Sequence, residues 1–316
     1  FWESLYALWI FLRDGFDIVQ VCNPPDLLFL AALPYRLLTG VRLVFDFHDS
    51  SPEIWVAKGG SRKDALSRVL RLLERVSLGA ADIVMTVNDS YKAMVARRGR
   101  LPLEEVYVVR NSPDIPEAGE GPPPARGQGA RVVVGYIGVM GKQDGVEALL
   151  ETIAYLVLEK GRRDIAFKLM GTGPELPRIK ERAEALGLSR NVLFTGWVSG
   201  KEYVEQLASC DICVNADFVN DYNNLCSPNK VYEYMCFSKP IVQFPMEESS
   251  RQAEGACLLA LPNDYRDLGD RIEELADDAD LRRRLGAAGK RRFHELFTWE
   301  RSERRLLEAY ERVRRL

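Results

Sequence analysis

Short apolar runs alternate with amphipathic segments along this 316-residue chain, and the alternation lapses once, at residues 113–130. The runs before the lapse are 17–22, 41–47, 82–87 and 106–110. Those after it are 131–137, 165–170, 191–194, 211–215, 240–244 and 256–261. Most are near-continuously apolar, as strands covered on both faces are, and helical patterns fall between them. The predicted class is therefore α/β, with two Rossmann-like, doubly wound parallel-sheet domains. The lapse, dominated by proline and glycine, reads as an interdomain linker. Domains are expected over residues 1–115 and 131–296. The last helix, 297–316, is expected to return to the first domain.

Composition narrows the function. Lys+Arg at 43 against Asp+Glu at 46 gives a net charge of −3, which excludes a general nucleic-acid binder. The basic run Arg282–Arg315 reads as a solvated face, or as a surface able to rest on anionic lipid. Six scattered cysteines, including the spacing Cys210-x-x-Cys213 without a second such pair, read as core thiols of a reducing cytoplasm; no metal and no cofactor is expected. No window is long and apolar enough for a membrane span. The apolar start, Phe1, Trp2, Leu5, Tyr6, Leu8 and Trp9, is compatible with peripheral membrane contact at the inner face, although a packed helix is the simpler expectation.

Ligand-binding residues in such sheets gather at the carboxyl ends of strands. In the first half those ends carry Asn23, His48, Asn88 and Asn111. In the second half the strand 131–137 runs into Gly138-Val-Met-Gly141-Lys142-Gln-Asp-Gly145, where glycines permit close approach of backbone to a phosphate. Gly171 and Gly173 follow the next strand, and Thr195-Gly196-Trp197-Val198 the one after.

The densest stretch is Ser227-Pro228-Asn229-Lys230-Val-Tyr-Glu233. Ser227 is expected as a hydroxyl N-cap, with Pro228 in the first turn of a helix over 229–237. The positive helix end and Lys230 suit an anion, and Glu233, on the same side as Lys230, suits sugar hydroxyls. A well-capped surface helix with a Lys–Glu pair is the plain alternative.

Taken in order, Gly135–Gly145, Leu169–Glu175, Phe194–Val198 and Asn220–Val242 resemble the family-4 retaining glycosyltransferases of GT-B fold, in the branch that builds capsular, O-antigen and other cell-surface polysaccharide. The resemblance implies a nucleotide diphosphate-sugar donor and a saccharide or polyprenyl-linked acceptor, without a metal, and a first domain that looks N-terminally truncated because the family's opening strands and glycine-rich loop are missing. It implies that Gly138, Gly141 and Lys142 approach the diphosphate. Gly171, Gly173 and Thr195–Val198 would wall base and ribose. Ser227, Asn229 and Lys230 would hold the diphosphate, Glu233 the ribose hydroxyls, and His48 the transferred sugar. The family's Glu-x7-Glu pair is incomplete, since Leu225 occupies the first position; Asp221 and Asn223 are candidates to replace it. Asn220, Asp221 and Asn224 read equally well as loop formers. A nucleotide-sugar 2-epimerase and a non-catalytic nucleotide-sugar-binding partner are the rival readings.

Overall fold

The structure is a computed structural model that describes residues 2–113 and 131–316. All of the expected linker but Pro113 lies outside them, as does Phe1. The chain divides into two compact units. One holds the residues up to Asn111 together with Trp299–Leu316, and the other runs from Ser112 to Thr298.

In the first unit, strands β1 (Ile18–Cys22), β2 (Arg42–Phe47), β3 (Ile83–Thr86) and β4 (Val106–Val108) form a parallel sheet in that order. Side chains alternate between its two faces. On one face Phe47 packs edge-on against Tyr91 of the helix Asp89–Gly99, with ring centroids 5.5 Å apart. On the other, Val44, Ile83 and Met85 pack against Ala309 and Val313 of the last helix, Trp299–Arg314. The end of the chain therefore completes the core of its beginning.

A helix absent from the sequence reading, Ser51–Ala57, follows β2 where a loop is expected. Its Glu53 explains it. Arg98 Nη2 donates to Glu53 at 2.6 Å and Arg98 Nη1 to Glu74 at 3.0 Å, while the Ser50 hydroxyl donates to Glu74 at 2.9 Å. This buried knot binds the helices Ser51–Ala57, Ala65–Ala80 and Asp89–Gly99 together. The helix Trp2–Arg13 departs from expectation too: Phe11 packs on Phe16 and Tyr35, but Trp2, Tyr6 and Trp9 stay 70%, 65% and 53% exposed.

In the second unit, β5 (Val132–Ile137), β6 (Ile165–Met170), β7 (Val192–Gly196), β8 (Ile212–Asn215), β9 (Ile241–Gln243) and β10 (Cys257–Leu259) form a parallel sheet in the order β10-β9-β8-β5-β6-β7. Its core lies on both faces. Helices Val146–Ala154 and Tyr265–Asp277 cover one, Asn229–Cys236 and Ala279–Leu296 the other. Cys210 and Cys213 are core thiols as expected, but Cys22 in the first unit is exposed.

Candidate functional site

The strand order of the second sheet sets the site. From β5 the chain steps outward to β6 and β7, then returns to lay β8 against the other edge of β5. Connections leaving β5 and β8 therefore diverge to opposite faces, and a crevice opens between them beyond the strands' carboxyl ends. That reversal is where open parallel sheets bind ligands. Tyr234, on the helix Asn229–Cys236, pins the two strand ends: its hydroxyl accepts from Ile137 N at 3.0 Å and donates to Val214 O at 3.2 Å.

The glycines around the crevice seat one loop on another. Gly171 and Gly145 have φ of 129° and 65°, and a Cβ on them would stand 1.9 Å from Gly138 O and 1.8 Å from Ala216 O. A Cβ on Gly173 would come within 2.6 Å of Met140 backbone. Met140 N donates to Thr172 O at 2.9 Å and Gly171 N to Gly196 O at 2.8 Å, so the loops after β5, β6 and β7 are stitched into one surface. The glycines after β6 thus serve close packing of one loop's backbone on another.

Beneath Gly138 lies Lys230. Its side chain is 11% exposed, its Nζ stands 2.6 Å from Asp217 Oδ1 and 5.0 Å from the Tyr136 ring centre, and a Cβ on Gly138 would be 3.9 Å from it. Burial pulls the ammonium pKa down, but Asp217, Tyr136 and Asp144 together raise it above the usual lysine value. Asp144 in turn accepts from Gly141 N at 3.0 Å and holds the loop's turn. Burial pushes its carboxyl pKa up, with Lys230 pulling against it. The crevice floor is a fixed cation flanked by two carboxylates.

The Lys230–Glu233 pair of the plain alternative does not form, because Asp217 takes the ammonium. Burial raises the Glu233 pKa, opposed by the neighbouring Tyr203 hydroxyl and by Lys230. Ser227 is not the N-cap: Pro228 occupies that position without a side-chain hydrogen bond, and Ser227 Oγ turns to Glu248 at 3.5 Å. Asn229 is exposed. Lys142 is exposed as well, and lines a cavity of ≈560 Å³ beside Glu147, Glu175, Arg178 and Phe218. Trp197 is 74% exposed, whereas the Val198 side chain is core. Of the loop candidates, Asn220 Oδ1 accepts from Tyr222 N and Asn223 N at 3.0 and 2.8 Å, and Asn223 Nδ2 donates to Phe218 O at 2.8 Å, so both amides build the loop itself. Asn224 Oδ1 accepts from Glu247 N at 3.3 Å.

In the first unit, Asn23 organises the strand ends. Its Oδ1 accepts from His48 N at 2.7 Å, and its Nδ2 donates to Asp49 O at 2.6 Å and Asp26 Oδ1 at 2.9 Å. His48 Nε2 lies 3.2 Å from Asp46 Oδ2, a contact that raises the imidazole pKa against the opposing effect of burial. Asn88 caps the helix Asp89–Gly99, accepting from Tyr91 N at 2.7 Å. His294 stacks edge-on beside Phe293, as its helical setting suggests.

Sequence reasoning missed Asp217 and Tyr136, the two partners that fix Lys230. Asp217 lies thirteen positions before Lys230 across an irregular loop, where no local periodicity links them. Tyr136, two residues before Gly138 on a strand, was legible only as core.

Comparison with known proteins places the same two segments. The family described as "Glycosyl transferases group 1" matches residues 131–278, and that described as "Glycosyl transferase 4-like domain" matches residues 2–112. Alpha-D-kanosaminyltransferase of Streptomyces kanamyceticus is 24% identical over 226 residues, covering 69% of this chain and 57% of its own length. The chain thus spans little more than half of that relative. Sucrose-phosphate synthase from Thermosynechococcus elongatus superposes with a TM-score of 0.77 at 17% identity, over 99% of this chain and 77% of that one. HepE from Anabaena, solved in complex with UDP, gives 0.77 at 16% identity, over 98% and 81%. These likenesses carry the GT-B fold.

Proposed function

Since this chain belongs to the glycosyltransferases, carrying their group 1 and 4-like domains in succession, we propose that its second unit binds a nucleoside diphosphate-sugar in the crevice between β5 and β8. The sugar is passed, with retention of anomeric configuration, to a saccharide or lipid-linked saccharide acceptor in cell-surface polysaccharide synthesis. The observation that carries the reading is the Lys230 ammonium, fixed by Asp217 directly beneath the Gly138 backbone. The HepE structures solved in complex with UDP and with UDP-glucose support the same donor class.

The chemistry follows from charge. Breaking the bond from anomeric carbon to diphosphate leaves an oxocarbenium-like sugar and an anionic leaving group. A cation already oriented in a low-dielectric floor stabilises that anion without reorganising as charge develops. Gly138 and Gly141 bring backbone to the phosphates, and the helix Asn229–Cys236, whose first turn carries Lys230, adds the positive end of its dipole. Lys142, on the rim, adds a mobile charge. Glu233, half-buried one turn on, accepts from the ribose hydroxyls, and Thr195–Val198 borders the base. His48 contacts the transferred sugar. Exposed Trp2, Tyr6 and Trp9 on one helix support seating at a membrane interface, where a lipid-linked acceptor is presented. Among the described residues no helix is long and apolar enough to cross a membrane.

The test is thermal stabilisation of the chain by UDP, GDP, ADP and their sugars. A rise with one nucleoside diphosphate, lost in Lys230→Ala and in Glu233→Ala, supports the donor site and names the base. No rise with any of them overturns it. Release of nucleoside diphosphate with a glycosylated product, rather than a free epimerised nucleotide-sugar, separates transfer from epimerisation.

A further inference from the structure

Cys22 closes β1, Asp46 is its register partner on β2, and His48 follows two residues later. In a parallel pair, register partners and residues two apart share one face. The three side chains therefore converge at the carboxyl edge of the first sheet. His48 Nε2 lies 3.2 Å from Asp46 Oδ2, and Cys22 Sγ lies 3.6 Å from the same oxygen. All three ligand atoms fall within 4.8 Å of one another.

We propose that Cys22, Asp46 and His48 form a binding site for a borderline-soft divalent cation of the Zn2+ type. A tetrahedral zinc with bonds of about 2.0–2.3 Å to S, N and O ligands needs its ligand atoms roughly 3.3–3.7 Å apart; the separations of 3.2 and 3.6 Å lie at the lower edge of that range and within it. The ligand set is selective: thiolate and imidazole suit Zn2+ or Co2+, whereas Mg2+ and Ca2+ require oxygen ligands throughout.

An outer shell is already built. Gln20 Nε2 donates to Asp46 Oδ2 at 2.8 Å, and the Tyr310 hydroxyl bonds Gln20 Oε1, so the carboxylate is steered by a partner that is itself held. His48 is anchored through its backbone N to Asn23 Oδ1 at 2.7 Å. Cys22 is exposed and the His48 side chain is 36% exposed, which leaves the fourth coordination position facing solvent, as in zinc sites that keep a water. On binding, the thiol proton leaves to solvent and Nε2 exchanges its contact with Asp46 for the metal. All three ligands belong to the first unit, and because His48 is also proposed to contact the transferred sugar, the metal is titrated with no nucleotide-sugar present.

The experiment titrates the whole chain, freed of metal by chelation and kept reduced by a phosphine, with Co2+ and then Zn2+. The expected result is one equivalent of cobalt giving a thiolate-to-metal charge-transfer band, displaced by Zn2+ and indifferent to Mg2+. Cys22→Ser abolishes the band and weakens Zn2+ at least tenfold by competition with a chromophoric chelator, and Asp46→Asn weakens it similarly. An unchanged melting temperature in Cys22→Ser, an exposed position, shows that folding is intact. Absence of the band, or a band that persists in Cys22→Ser and vanishes in Cys210→Ser, overturns the proposal.

Discussion

Lys230 Nζ stands 2.6 Å from Asp217 Oδ1, with neither side chain more than 12% exposed. A lysine on a flexible four-carbon stem is thereby reduced to one position, under the loop where a diphosphate is proposed to lie. Asp217→Asn keeps the shape and removes the charge. Nucleoside diphosphate affinity is expected to fall roughly ten- to hundredfold, the 1.5–3 kcal/mol of a misplaced hydrogen bond to a charged group. The pH profile carries the sharper signature. In the native chain the ammonium's folded pKa is raised, so its contribution holds at and below the ordinary lysine value and is lost only as pH rises through the folded one. Without Asp217, burial dominates, and binding measured by calorimetry declines from a lower pH than in the native chain. Equal decline in both would leave Asp217 a merely structural neighbour.

Glu233 is raised in pKa chiefly by burial. Its contribution is therefore present below the ordinary carboxylate value and lost as pH rises through the folded one. At neutral pH the buried charge works against folding. Glu233→Gln is expected to raise the melting temperature at pH 7 and to leave it unchanged at pH 4, while abolishing the nucleotide-induced rise. A variant less stable at pH 7 than the native chain contradicts this account.

Gly171→Ala places a Cβ 1.9 Å from the Gly138 carbonyl at a φ of 129°, so strain and overlap add. The expected loss is about 3 kcal/mol in a denaturant titration, with nucleotide binding lost. Gly161, with φ 71° and nothing within 4 Å of a built Cβ, is the matched control, and its alanine variant should lose only about 1 kcal/mol.

Arg98 serves two acidic side chains at once. Removing it leaves Glu53 and Glu74 buried without a counter-charge. Arg98→Met is expected to destabilise the first unit by about 3–5 kcal/mol. The triple variant Arg98→Met, Glu53→Gln, Glu74→Leu, with no charge left to compensate, should recover most of that loss; failure to recover would show that the arginine's packing, not its charge, holds the three helices.

The elements were legible because parallel strands and their crossover helices are written locally, as apolar runs of five or six residues and amphipathic runs between them. The runs at residues 132–137 and 165–170 needed nothing else. Strand order is not local: no pattern in β8 says that it returns beside β5, yet that return makes the crevice. The same limit hid Asp217, which meets Lys230 only when an irregular loop folds over, and Cys22 with Asp46, which meet only through strand register. Ser227 misled for a different reason. A serine before proline and a helix is a sound cap signal, but Glu248 lies within reach of its hydroxyl, and Pro228, extended at ψ 127°, takes the cap position.

The helix Trp299–Arg314 covers Val44, Ile83 and Met85, and it is made only after the whole of the second unit. The first unit, begun before the second, is thus completed only after it, with one face of its sheet bare for the whole time the second unit is synthesised and folds. Nascent chains stalled before residue 299 should hold a folded second unit beside an unfinished first, the state in which bare apolar sheet most invites a chaperone.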